Sequence, residues 1–141
     1  MRDMLDAAVL IALLDATQVQ HTAAGEWLSQ NIRHGWASCS ITQNDCVRIL
    51  AQRVCPDSVP AAEVARLREA LRRVHHAFVA DGVGLLDDAL FNWSWLPGPR
   101  QVADAYLLAL AVRNKGRFVT FHKAVPLAPV PDAGPRHLVV I

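Results

Sequence analysis

Short runs with strand character alternate with helical runs along this chain, and that alternation restricts its fold more than any other feature. A strand is expected over residues 2–5, followed by a compact apolar helix from Ala7 to Leu14. A second helix spans about His21 to Ile32, and a short strand covers Trp36–Ser38. Thr42 reads as the N-cap of a helix running to about Val54, with Asp45 in the capping-box place. Pro60 opens another helix, with Val64, Leu67, Leu71 and Val74 on one stripe. Its other face carries Arg66, Arg68, Arg72 and Arg73 with Glu63 and Glu69, a pattern that reads as a solvated surface ahead of the alternative, an RNA-binding one. Between Phe78 and Leu86 a short strand and a turn are expected. A strongly apolar helix then covers about Gln101 to Asn114, and Gly116 ends it. Strands at Arg117–Phe121 and His137–Ile141 close the chain, with the Pro-rich Val125–Pro135 piece crossing the surface between them.

Strands that alternate with helices imply an α/β fold whose central parallel sheet is covered by helices on both faces. The 141 residues fit one domain, 1–141, able to bury a core without staples. Hydrophobic residues at 52% against 19% charged argue against disorder. No apolar run reaches the roughly 18 residues that span a bilayer, and Asp3 and Asp6 interrupt any secretory-type leader. A cytoplasmic protein with no membrane partner is expected. Cys39, Cys46 and Cys55 are an odd set without a C-x-x-C pair, which excludes a complete internal disulfide framework and gives no zinc signature. They read as small buried hydrophobes. A formal net charge of +1 gives no global field for nucleic acid, so any such ligand must be held by local arginines or by metal.

In sheets of this kind ligands sit outside the carboxyl ends of the strands. Asp6 falls where the first strand stops. Asp104 falls in the first turn of QVADAYLLALAV, a helix apolar on nearly every side. An ionised carboxylate there is expensive unless it is paired or well hydrogen-bonded. Each could simply cap its helix and meet the positive end of the dipole. If the two converge, a divalent cation with hard oxygen ligands is the economical explanation.

Four stretches carry a resemblance. MLDAAVLIALL (4–14), WASCSITQNDCVRIL (36–50), GPRQVADAYLLALA (98–111) and GRFVTFHKAVP (116–126) occur in the order, and with much of the wording, found in PIN-domain nucleases. They most resemble the VapC-type ribonuclease toxins of toxin–antitoxin pairs. The third stretch is the most specific, differing from the family run chiefly at Ala103. The resemblance implies a nuclease that gathers three or four acids around Mg2+ or Mn2+ and hydrolyses RNA phosphodiesters. By position, Asp6 and Asp104 match the first and third acids. The second, normally Glu, is Gln43; the fourth, normally Asp, is His122. An Asn usually two residues after the first acid is Ala8. The resemblance also implies a homodimer and a cognate antitoxin whose C-terminal segment covers the acidic site.

The substituted positions retain some chemistry. Gln43 keeps an oxygen that could orient a metal-bound water, or it is an ordinary polar residue. His122 could ligate Mn2+ or Zn2+ better than Mg2+, imidazole being a softer donor than carboxylate, or it could simply bond its neighbours. Asp45 faces another side of its helix from Gln43 and reads as a cap. Arg48 and Arg100 are the candidate phosphate contacts, by bidentate geometry, against ordinary solvation. Trp93 and Trp95 could stack on bases or pack into a core or subunit interface. The rival function is a degenerate PIN domain without catalysis, serving as an RNA- or protein-binding module; Gln43, His122, Ala8 and Ala103 favour it. A phosphatase using Asp6 as nucleophile would want a second Asp where Ala8 stands, and dinucleotide binding lacks its G-x-G-x-x-G.

Overall fold

Met4 and Leu5 point to opposite faces of the first strand, and each is buried in a different core. That alternation makes Asp3–Leu5 (β1) the centre of a two-sided layer. In this computed structural model, which describes residues 1–53, 59–72, 75–80 and 82–141, five strands form one sheet. They are β1, β2 (Trp36–Ser38), β3 (His76–Phe78), β4 (Arg117–Thr120) and β5 (Leu138–Val140), in the order β3-β2-β1-β4-β5. Every pairing is parallel, as expected for a sheet covered on both faces.

On one face Leu5, Trp36 and Val119 pack under α1 (Ala7–Leu14), α2 (His21–Asn31), α3 (Ser40–Arg53) and α4 (Pro60–Leu71). On the other, Met4, Ala37 and Phe118 pack against α5 (Val102–Arg113). The stretch after β4 is less superficial than expected, since Val125 and Val130 are buried in the α5-side core. Among the described residues no helix is long and apolar enough to cross a membrane.

Several local expectations need correction. Helix α3 begins at Ser40, so Thr42 lies inside it; its hydroxyl accepts from the Cys39 N–H at 3.0 Å and is buried. The Thr side chain thus caps from within the first turn instead of preceding it. Asp45 pairs with Arg48 one turn on, at 3.3 Å, rather than capping. On α4, Glu63 is buried beside Leu67 while Val64 is exposed. The polar face therefore turns inward at Glu63, whose carboxylate lies 3.7 Å from Arg66. Arg66 in turn donates to the Leu14 carbonyl at the end of α1. The strand expected after Phe78 ends there instead, at β3. Cys39 and Cys46 are free and buried; burial, with Glu63 nearby, pushes the Cys46 thiol up to about 12. Val54, Cys55, Arg73 and Val74 lie outside the described residues.

Gly116 is needed for space rather than for backbone freedom. Helix α5 ends with Lys115 at φ 55, its N–H bonded to the Val112 carbonyl, while the Gly116 N–H bonds to Ala111 at 2.8 Å. This is the two-bond helix stop usually built on glycine, here with lysine in the left-handed position. A Cβ on Gly116 would stand 2.4 Å from the Arg2 carbonyl oxygen, where β1 and β4 begin to pair. Next to it, Arg117 grips the buried Asp3 with two bonds, 2.6 and 2.9 Å long. The β1–β4 register is thereby fixed at its start, and with it the side chains at its other end.

Candidate functional site

The order β3-β2-β1-β4-β5 places β1 beside β4 although the chain leaves β1 toward β2 and leaves β4 toward β5. The carboxyl ends of β1 and β4 therefore flank the switch point, where open α/β sheets leave a crevice. Leu5 pairs with Val119, so the residues that follow, Asp6 and Thr120, stand side by side. The Asp6 N–H donates to the Val119 carbonyl at 2.9 Å, fixing its backbone as the strand stops.

Asp6 occupies the N-cap position of α1, yet its carboxylate makes no capping bond. It accepts instead from the Thr120 hydroxyl at 2.9 Å. Thr120 Oγ1 also accepts from the His122 backbone N–H at 3.1 Å. The His122 ring turns back to Asp104, with Nδ1 at 3.0 and 3.1 Å from the two carboxylate oxygens. An ionised carboxylate can only accept, so Nδ1 carries the proton in that contact. A continuous chain of hydrogen bonds thus runs from Asp6 through Thr120 and His122 to Asp104.

Asp104 reaches this place because it stands in the first turn of α5, whose apolar body is buried against the sheet. The positive end of the helix dipole favours its charge. One ligand atom from each of Asp6, Asp104 and His122 lies within 4.8 Å of the others. Both aspartates are buried, and the His122 side chain is 56% exposed. Burial holds the Asp6 carboxyl above its ordinary value; the Thr120 hydroxyl and His122 oppose the rise, and the Asp104 charge adds to it. Two buried acids with an imidazole close to both are a donor set that fits a divalent cation.

The remaining expected site residues have settings of their own. Gln43, in the first turn of α3, donates its amide to Ser38 Oγ at 2.9 Å, and Ser38 Oγ is 2.8 Å from His76 Nε2. Its nitrogen is thus committed to the β2–β3 side of the sheet. Arg48 is paired with Asp45 on the surface. Arg100 is exposed in the short turn Pro99–Gln101 that leads into α5. Trp93 stacks on the buried Phe91 with ring centroids 4.6 Å apart, whereas Trp95 is 64% exposed. Thr120 was missed in the sequence, although it lies in the same GRFVTFHKAVP stretch; a hydroxyl ending a strand carries no distinctive spacing.

A groove of about 1120 Å³ lies between α3 and α4. Its floor includes Val47, Ala51, Leu67 and Leu71, its lining includes Gln43, and Arg48, Arg68 and Arg72 stand along it.

Comparison with known proteins agrees with this architecture. A sequence model of the PIN domain matches residues 4–126. Ribonuclease VapC44 of Mycobacterium tuberculosis is 44% identical over 142 residues, covering 100% of both chains. Ribonuclease VapC38 of the same organism is 39% identical over 124 residues, 86% of each. The crystal structure of M. tuberculosis VapC20, a sarcin–ricin loop cleaving toxin, superposes with a TM-score of 0.58 at 18% identity. It covers 82% of this chain and 85% of its own, and at that identity it speaks to the fold alone. With most of its length matched by the family and a full-length relative at 44% identity, this chain belongs to the PIN domain family, as one of its VapC-type members.

Proposed function

We propose that this chain is a metal-dependent endoribonuclease toxin of a toxin–antitoxin pair, hydrolysing RNA phosphodiester bonds at the Asp6–Asp104–His122 cluster. The convergence of Asp6 and Asp104, 98 positions apart in the chain, together with the His122 imidazole carries the reading. The two carboxylates and His122 would hold a divalent cation. When bound, that cation would lower the pKa of a water and polarise a phosphate oxygen.

The chain's own residues supply the rest. Thr120 holds the Asp6 carboxylate in place, and the His122 backbone ties Thr120 down in turn. The apolar flank of α5 keeps the Asp104 side chain out of bulk water. Arg100, at the mouth of α5, is suited to a phosphate two-pronged contact, and Arg48 to a more distant one. Gln43 contributes through the Ser38 contact, as a support of the β2 end.

VapC-type relatives bear ribonuclease names over most or all of the chain, which supports the assignment. A cognate antitoxin whose C-terminal segment covers the acidic site is part of this proposal. The α3–α4 groove, with Arg48, Arg68 and Arg72 along it, would give an amphipathic, acidic part of that antitoxin a second footing. A homodimer, with the exposed Trp95 at or near its interface, belongs to the same proposal.

Cleavage of a structured RNA by the parent and by Asp104→Asn, in Mg2+ and separately in Mn2+, tests the reading. The variant should lose at least about a hundredfold in rate, because a ligand matters no less than the groups that orient it. Equal rates remove Asp104 from the chemistry. The commitment of the Gln43 amide to Ser38 favours a second reading, a non-catalytic binding module. Intact folding with no dication bound would select that module.

A further inference from the structure

We propose that the Asp6–Asp104–His122 cluster selects a first-row transition-metal dication over Mg2+, with the His122 ring nitrogen as the discriminating donor. This rests on the cation-holding role proposed above and concerns which ion is held. Three observations converge on it.

The first is the donor set. Among the described residues, Asp6, Asp104 and His122 are the one group of three ligand-type side chains that gathers closely enough for a metal. One of its three donors is nitrogen. Mg2+ takes oxygen ligands in near-ideal octahedral geometry and gives up its waters reluctantly. Imidazole suits the later first-row ions, whose affinity for mixed nitrogen and oxygen sites rises from Mn2+ toward Cu2+. The second is spacing. His122 Nδ1 stands 3.0 Å from Asp104 Oδ2. Two ligands at about 2.1 Å on adjacent corners of an octahedron are about 3.0 Å apart, so an ion could take the place of the shared proton without moving either group far.

The third is preorganisation. The His122 backbone is tied through Thr120 to Asp6, so the ring belongs to the same hydrogen-bonded arc as both carboxylates. The aspartates are buried and fixed, while the ring is half exposed and can adjust to an incoming ion without disturbing a core. Gln43 adds no negative charge to the set, and its amide nitrogen is bonded to Ser38.

The test is calorimetric titration of the metal-free chain with Mg2+, Mn2+ and Co2+, repeated on His122→Asp and His122→Asn. Pulsed EPR of the Mn2+ forms accompanies it. In the parent, Co2+ should bind at least about tenfold tighter than Mg2+. His122→Asp should shrink that preference by about tenfold, chiefly by strengthening Mg2+. Spin-echo modulation from an imidazole nitrogen should be present in the parent and absent in both variants. Melting curves confirm that the variants are folded, which the exposure of His122 favours. An unchanged Co2+/Mg2+ ratio in His122→Asp, with no nitrogen modulation in the parent, overturns the selectivity and leaves the cation-holding role standing. A folded parent that binds none of the three ions overturns both.

Discussion

Replacing Thr120 with Val removes one hydroxyl while keeping the shape of a fully buried side chain, and it probes the site more cleanly than removing a ligand. The hydroxyl donates to Asp6 at 2.9 Å and accepts from the His122 N–H at 3.1 Å. A hydrogen bond to a charged group is worth about 1.5–3 kcal/mol. The His122 backbone lies beside an exposed ring and can turn to water, so its lost bond adds little. Without the hydroxyl, Asp6 also loses the strongest influence opposing its burial, and more of it is protonated at a given pH. Both effects act against cation binding. At about 1.4 kcal/mol per tenfold change, the dication affinity should fall about 10–100-fold, matching the usual effect of losing a group that orients a ligand. Calorimetry with Mn2+ measures it, and RNA cleavage at subsaturating metal should fall in parallel. Thr120→Ser keeps the hydroxyl and should stay within about threefold of the parent. A folded Thr120→Val protein that binds Mn2+ and cleaves RNA within about twofold of the parent would refute the orienting role.

Arg117→Met should destabilise the chain by about 3–5 kcal/mol in a urea melt, because it strands the buried Asp3 charge; adding Asp3→Asn should recover most of the loss. If the double variant is no more stable than the single one, the ion pair is not the cause. Gly116→Ala should cost about 1–3 kcal/mol and lower Tm, since its Cβ would collide with the Arg2 backbone at the head of the β1–β4 pairing; an unchanged Tm would show that the strands yield freely. Burial, helped by Arg2, holds the His76 ring below the ordinary histidine value of 6.5. Its contribution is therefore present above pH 6.5 and lost as pH falls through the lower folded value. Urea melts at pH 7.5 and 5.5 should show less acid loss in His76→Gln than in the parent, and equal losses would rule His76 out (the two pH values are chosen to be about one unit either side).

The layered architecture was legible because it is written in periodicity, which survives without knowledge of contacts. The alternation of short strand runs with helical runs sufficed for a parallel sheet with covered faces, and the burial of Met4 and Leu5 in opposite cores agrees with it. Asp6 and Asp104 stood out because each is a charge set in apolar sequence at an element's end, and the sheet order brings those ends together. What escaped notice depends on pairing across the chain. Glu63 looks like a surface residue until Arg66 is seen beside it and Leu14 beyond. Thr42 looks like a cap because the sequence does not reveal that Cys39 N–H needs an acceptor inside the helix. The Gln43–Ser38–His76 link joins three elements, and no spacing within any of them announces it.

Charge balance connects these observations. The family resemblance implies three or four acids around one or two ions, whereas here Gln43 and His122 carry no fixed negative charge. Two carboxylates neutralise one dication and leave nothing for another. Two unit charges 4 Å apart repel by about 4 kcal/mol at an effective dielectric of 20, and two dications by about four times that. Among the described residues no further acid joins the cluster, so of these groups only the substrate's own phosphates could offset such a repulsion. The proposed site would therefore suit a single ion, held by Asp6, Asp104 and His122, with the RNA supplying the remaining negative charge. The formal net charge of +1 gives no long-range pull on RNA. On the proposed function attraction would then be local, and Arg100, exposed in the turn that leads into the helix carrying Asp104, is the proposed place for it.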